Sequence, residues 1–267
     1  MPLAVCATPI GNLDDITLRV LRELAEADLV LCEDTRRTRI LLERHGIEAR
    51  VLSYHEHNEA QRTAEVLPRL EAGARVALTS DAGLPGVSDP GARLIAAALE
   101  SGVVVTVLPG PSAVETALVA SGLVAERYQL LGYLPRSAPA RAALWQELAR
   151  WPHAVVAFES PRRLPATLTS LAAAMPERPV AVCRELTKRF EEVVRGTAAE
   201  VAARFVEPPK GEITLVLGSF EAEGGDEGDA LAAVAQLVAA GSGRRQAAEV
   251  VARLTGVSRN RLYRASL

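Results

Sequence analysis

Several things are scarce in this chain, and each scarcity removes a class of function. Only three of its 267 residues are cysteine, and aromatics make up 4 %. Cys6, Cys32 and Cys183 are odd in number and widely spaced, with no CxxC and no mixed Cys/His cluster. Neither a zinc site nor a disulfide framework is therefore expected, and the thiols read as reduced core residues. Of the four histidines, only His55 and His57 stand close together, and they lack the thiol or carboxylate partners of a closed site. They read as surface residues, and no metal is expected. No apolar run approaches the roughly 20 residues of a membrane span. The N-terminus lacks a charged-then-apolar signal pattern, so a soluble, cytoplasmic protein is expected. Gly11 stands alone after the first apolar run, and neither GxxxxGK[ST] nor GxSxG occurs. Nicotinamide Rossmann, P-loop and α/β-hydrolase sites are disfavoured accordingly.

What the chain does have is alternation. Apolar runs at Leu3–Ala7, Leu29–Cys32, Val51–Tyr54, Arg75–Leu78 and Val103–Leu108 are each followed by a helical pattern. Five strand–helix alternations with short links predict a parallel sheet covered by helices. The conspicuous stretch is Thr79–Gly91, TSDAGLPGVSDPG, between the fourth strand and its helix. An ordinary βα link needs only about 2–6 residues. Three glycines and two prolines make this a rigid loop at the carboxyl end of a strand, where open α/β sheets bind ligands. Asp89-Pro90 reads as an N-cap followed by N1. An Asp14 or Asp15 cap for the first helix and an Asn58/Gln61 capping box for the third are also expected. The other unusual clusters fall just after strands too: TPIGN (8–12), EDTRRT (33–38) and PGPSA (109–113).

After Gly122 the texture changes. Strands are expected at 128–133, 154–158, 180–184, about 190–195 and 213–217, with a Thr197/Glu200 capping box opening a helix. Together they suggest a second, mixed sheet. Five acidic residues without a base fill Glu221–Asp229, and six arginines (244, 245, 253, 259, 261, 264) against Glu249 alone follow from Gly241 onward. Two helical patterns there, a Gly256-Val257-Ser258 turn and an arginine-rich segment resemble a helix-turn-helix; a small helical cap on the second domain is the plainer alternative. The division expected is 1–116, an N-terminal α/β domain; 117–222, a second α/β domain completing a cleft; and 223–267, an acidic linker with a basic helical tail. The net charge of −3 gives no global reason to expect nucleic acid. On the residues alone, a cleft lined by glycine-rich loops and by Glu33, Asp34, Asp81, Glu159 and Glu185 suits a small-molecule or nucleotide-like cofactor enzyme, without saying which.

Seven blocks in order, TPIGNLDDIT (8–17), EDTRRT (33–38), SDAGLPGVSDPG (80–91), PGPSA (109–113), ESPRR (159–163), ELTKRFE (185–191) and KGEITLVL (210–217), resemble the tetrapyrrole methylase superfamily. More narrowly they resemble its bacterial small-subunit ribosomal RNA 2′-O-ribose methyltransferase branch, which modifies a cytidine of the decoding centre. The chain departs at Leu84, where Thr is usual, at Arg162, where His is usual, and near Ile213-Thr214, which touches fine substrate contacts more than the glycine framework. The resemblance implies two α/β domains, S-adenosylmethionine in the cleft between them, and a homodimer acting on ribosomal RNA or the small ribosomal subunit. Carried over by position, the cofactor would meet Pro9, Gly11, Ser80, Asp81, Ala82, Gly83, Pro85, Val87, Ser112, Ala113, Phe158, Glu159, Leu186, Gly211, Ile213 and Thr214. Transfer of a methyl group to a ribose oxygen is helped by a base. Asp81, Glu33 or Asp34 is the expected acceptor, although Asp81 could instead anchor its loop. Arg36, Arg37 and Lys188 are expected on RNA phosphate, and Arg244, Arg245, Arg259 and Arg261 in the tail add salt-dependent affinity. A corrin methyltransferase, a protein side-chain methyltransferase and a non-catalytic RNA-binding module are the alternatives.

Overall fold

In a computed structural model that describes residues 2–220 and 227–266, the first five apolar runs form one parallel sheet. Its strands are β1 (Leu3–Cys6), β2 (Leu29–Cys32), β3 (Val51–Ser53), β4 (Val76–Thr79) and β5 (Val105–Leu108), in the order β3-β2-β4-β1-β5. Successive strand residues point to opposite faces, and here both faces are covered. Ala4, Cys6, Val30 and Ala77 pack with Val20 and Leu24 of α1 (Leu18–Glu26) and with Leu41 and Leu42 of α2 (Thr35–Arg44). Leu3, Val5, Leu31 and Leu78 pack with Val66 and Leu70 of α3 (Glu59–Glu71) and with Leu94 and Ala98 of α4 (Ala92–Glu100). That double burial explains why the strands read as continuous apolar runs. Because all five are parallel, the loops after β1, β2, β4 and β5 leave the same edge.

Next comes α5 (Ala113–Ser121), which lies over a second sheet: Val114, Ala117 and Leu118 pack with Val156, Ala181, Cys183 and Val216. That sheet contains β6 (Tyr128–Tyr133), β7 (Ala154–Glu159), β8 (Pro179–Arg184), β9 (Glu192–Thr197) and β10 (Ile213–Leu217), ordered β6-β7-β10-β8-β9. Only β6 and β7 pair in parallel; the other three pairings are antiparallel. Its second face packs on α6 (Ala138–Leu148), α7 (Leu164–Ala174) and α8 (Ala198–Arg204) through Trp145, Leu148, Leu168, Leu171 and Val201. Arg178 is wholly buried here, donating to the carbonyls of Leu148 (2.7 Å), His153 (2.9 Å) and Gly218 (3.1 Å). Burial pulls its guanidinium down to about 10.

The tail helices α9 (Glu227–Ala239), α10 (Arg244–Thr255) and α11 (Arg259–Ala265) enclose a small core of their own, built on Ala230, Val234, Ala247, Ala248, Val251, Val257 and Leu262. Most of the acidic linker lies outside the described residues.

The α/β class and both sheets match the sequence reading; several caps do not. Thr17, not Asp14 or Asp15, caps α1, its side chain accepting from the Val20 amide at 3.2 Å. Asn58 precedes α3 without capping it, because its Oδ1 accepts from the His55 amide at 2.8 Å instead. Helix α4 starts two residues later than Asp89-Pro90 implies, behind Gly91 at φ 138°, a conformation that favours glycine. The Thr197/Glu200 box is present as expected, whereas β9 begins at Glu192, past Phe190. Cys6, Cys32 and Cys183 are buried free thiols, and burial pushes Cys6 up to about 12.

Candidate active site

A cavity of about 850 Å³ opens between the two sheets. Its floor is the Thr79–Gly91 loop, held to the end of β1 by a reciprocal backbone pair: Thr8 N to Gly83 O at 2.8 Å and Gly83 N to Thr8 O at 3.0 Å. Thr8 Oγ1 also donates to Ser80 O at 3.0 Å, and Ser80 Oγ to Gly83 O at 3.1 Å. The hydroxyls therefore shape the loop from beneath. Ala82, Gly83 and Val87 line the cavity, and Ser80 and Pro85 do not. The opposite wall comes from the second sheet and its loops: Leu130, Tyr133, Phe158, Gly211, Ile213 and Thr214. Tyr133 and Phe158 are in ring contact at 5.7 Å, yet Tyr133 stays 70 % exposed. Ser112 and Ala113 at the start of α5 complete the lining.

Other residues expected at the cofactor lie one layer away. Gly11 faces the loop after β8: a Cβ there would come within 2.6 Å of Lys188 Cγ and 2.8 Å of Leu186 O. The neighbouring Asn12 amide donates to Thr187 Oγ1 at 2.9 Å. Gly11 thus permits the loops after β1 and β8 to touch. Pro9 and Leu186 are buried, the latter among Ile10, Val114 and Val216. Behind that contact, between the ends of β8 and β10, Glu185 accepts from the Glu212 amide at 2.9 Å, beside Gly211, where a Cβ would overlap the Glu185 side chain. Glu185 and Thr187 both sit at positive φ, 52° and 64°, a strained pair at the junction. The departures from the family pattern fall in different places. Leu84 lines the cavity, while Arg162 is exposed on the surface.

Six carboxylates line the cavity: Glu33, Asp81, Asp89, Glu115, Glu159 and Glu212. Most already have partners. Asp81 Oδ1 accepts from the Asp34 amide at 2.9 Å, and Oδ2 lies 3.4 Å from Arg37 Nη1. Its anchoring role is therefore on view. Glu159 is bound by Ser160 N at 2.6 Å, Arg163 Nε at 2.7 Å and Thr167 Oγ1 at 2.6 Å. Glu115 accepts from Ser112 and from Tyr128, the latter at 2.6 Å. Those bonds hold its carboxyl below the usual range. Glu212 is 2.9 Å from Lys188 Nζ. Glu33 is raised by burial and by the neighbouring Asp81 charge. Asp34 lies outside the cavity lining: its carboxylate caps α2 and binds Arg36 at 2.6 Å, which holds it well below the usual carboxylate range.

The basic residues divide in the same way. Arg37 lines the cavity mouth. Lys188 is clamped between Glu185 and Glu212, 2.9 Å from each, and Arg36 is engaged by Asp34. All six tail arginines are exposed. His55 and His57 stand with ring centroids 6.0 Å apart, and no group of three potential metal ligands occurs among the described residues. Asp89, Glu115, Tyr128 and Tyr133 line the cavity beyond the residues expected from the sequence. For Asp89 the signal was present in the loop but was spent on a helix cap.

Residues 2–202 match the Tetrapyrrole (Corrin/Porphyrin) Methylases family. The chain is 43 % identical over 265 residues to Ribosomal RNA small subunit methyltransferase I of Mesorhizobium japonicum, covering 98 % of this chain and 90 % of that protein. It is 42 % identical over 220 residues to the protein of that name from Thermotoga maritima, covering 82 % of this chain and 99 % of the other. Among solved structures it resembles the methyltransferase CobJ, with TM-score 0.62 and 20 % identity, covering 82 % of this chain and 94 % of that one. It also resembles uroporphyrin-III C-methyl transferase from Thermus thermophilus, complexed with S-adenyl homocysteine, with TM-score 0.57 and 20 % identity, covering 81 % and 96 %. These two share the fold. Matched over most of its length and close to relatives of full length, the chain belongs to the tetrapyrrole (corrin/porphyrin) methylase family.

Proposed function

We propose that this chain is an S-adenosylmethionine-dependent methyltransferase that methylates the ribose 2′-oxygen of a cytidine in the decoding centre of small-subunit ribosomal RNA. The observation that carries this reading is the near full-length identity to proteins named ribosomal RNA small subunit methyltransferase I. The cavity supports it. S-adenosylmethionine carries an adenine, an amino acid and a sulfonium cation, and a mixed cleft of about 850 Å³ is of the right size. Leu130, Phe158 and Ile213 offer apolar surface for the adenine. S-adenosylmethionine held by these residues would supply an electrophilic methyl group on a sulfonium sulfur. The chain's own part is to hold the acceptor ribose in line, which provides much of the rate, and to receive its proton.

RNA is an anion, and the cavity rim is acidic, so phosphate contacts belong at its edge and beyond. Arg37 is placed for the strand entering the mouth. Arg244, Arg245, Arg259 and Arg261 form part of a separate basic module that contributes salt-dependent affinity. Lys188 and Arg36, both held by carboxylates, serve structure more than phosphate. The enzyme acts in the cytoplasm, where its substrate is assembled, and as a homodimer. β5 leaves an open sheet edge, and Val104 before it and Val107 within it are 62 % and 51 % exposed; such an edge is a ready surface for a second copy.

The test is transfer of a labelled methyl group to small ribosomal subunits, naked small-subunit RNA and a tetrapyrrole. Label in ribosomal RNA supports the proposal. Label in the tetrapyrrole alone, or in nothing, sinks it.

A further inference from the structure

The mechanism needs a proton acceptor, and the structure assigns it to a residue that the sequence pattern spends elsewhere: we propose that Asp89 accepts the 2′-hydroxyl proton of the ribose. This rests on the methyltransferase reading above and sharpens it. Four of the six cavity carboxylates are committed to partners within the fold. A fifth, Glu33, is faced by the backbone amide of Asp81. Asp89 alone has no hydrogen-bond or ion-pair partner among the described residues, and it is not consumed in capping α4, whose first turn begins behind Gly91.

The backbone around it is nonetheless fixed. Gly91 N donates to Glu59 Oε1 of α3 at 3.0 Å, and Gly86 N donates to Pro90 O at 3.2 Å. Ser88 is held at φ 62°, a conformation that costs a serine energy and persists only where surrounding structure enforces it. A Cβ on Gly132 would lie 3.5 Å from Ser88 Oγ, so the segment also abuts β6 of the second domain. An unpartnered carboxylate on a clamped loop at the domain junction is built to meet something that arrives from outside.

The charges facing it are Glu33 after β2, Asp81 in the same loop and, from β6, the Tyr133 phenol. Burial first, then the charges of Glu33 and Asp81, push the Asp89 carboxyl up to about 7, a value suited to a base at neutral pH. Asp89 takes the hydroxyl proton while the oxygen pair forms the O–CH3 bond; the S–CH3 bond breaks and its pair stays on sulfur. Atoms and charge balance without another reactant.

The test combines three measurements on wild type, Asp89→Asn and Glu33→Gln. In the ligand-free protein, the 13C carboxyl resonance missing from Asp89→Asn should titrate near neutrality. Calorimetry with S-adenosylmethionine should give an unchanged affinity for Asp89→Asn, which also certifies its fold. Single-turnover transfer to small subunits should rise with pH and level off in wild type, and should fall about 10²–10⁴-fold in Asp89→Asn. A resonance titrating in the ordinary carboxylate range, or a wild-type rate and pH profile in Asp89→Asn, overturns the proposal. In the latter case loss of the profile in Glu33→Gln gives the role to Glu33. Failure of the wild type to bind S-adenosylmethionine or to methylate any RNA overturns the functional reading itself, and this assignment with it.

Discussion

At the scale of single residues, the cavity separates carboxylates that hold the protein together from those that can react. Asp81 bonds the Asp34 amide and pairs with Arg37. Its replacement by Asn keeps an acceptor for that amide and loses one side of a partly exposed ion pair, worth about 0.2–1 kcal/mol. Asp81→Asn should therefore bind S-adenosylmethionine and transfer methyl within about fivefold of wild type; a hundredfold loss of transfer at unchanged affinity would return the base to Asp81. Asp89 has a thermodynamic signature of its own. Its carboxyl is raised from 3.8 to about 7 by folding. An unfolded chain thus releases this proton first, and stability falls as pH climbs from 3.8 toward 7 and stays reduced above it. Asp89→Asn removes the penalty, so melting at about pH 8 should rise by several degrees and melting at about pH 4 should barely move. Equal shifts at both pH values would show that the carboxyl is not raised.

At the scale of elements, the two sheets meet through loops that approach closely. Gly11→Ala forces a methyl group against the Leu186 carbonyl and the Lys188 chain. The expected cost is about 1–3 kcal/mol, with a fall of about tenfold in S-adenosylmethionine affinity, since 1.4 kcal/mol is a factor of ten. Thr197→Ala offers the control: it breaks the capping box of α8 at a cost of about 1 kcal/mol and leaves affinity alone. If both variants lower stability equally and neither alters affinity, the seam does not shape the cavity.

The same scale explains what was legible in the sequence. Strands buried on both faces are continuous apolar runs, so both sheets could be read from pattern, and parallel order brought the loops after β1, β2, β4 and β5 to one edge. Caps were less legible because Asp, Asn and Ser satisfy several local arrangements equally well. Asn58 turned back to His55, and Asp89 was left free because Gly91 took the cap of α4. The contact of Gly11 with Leu186 and Lys188 has no local signature; it depends on a docking angle that neither half encodes alone. Tyr133 was hidden for a related reason, since a strand residue with apolar neighbours gives no sign of which side will be walled by a second domain.

At the scale of the whole molecule, the tail stands on its own core. The Thermotoga maritima relative matches over 99 % of its length while covering 82 % of this chain. Deleting residues 230–267 should leave S-adenosylmethionine affinity unchanged and weaken RNA binding, with a shallower dependence of affinity on salt. Unaltered activity at raised salt would deny the tail this role.

The central claim is the chemistry at a ribose oxygen, and one measurement reaches it directly. Small-subunit RNA methylated by the purified protein is digested to nucleosides and the methylated product is identified by mass and retention. A single 2′-O-methylcytidine is predicted, and a base-methylated nucleoside or an unmodified RNA would contradict the account.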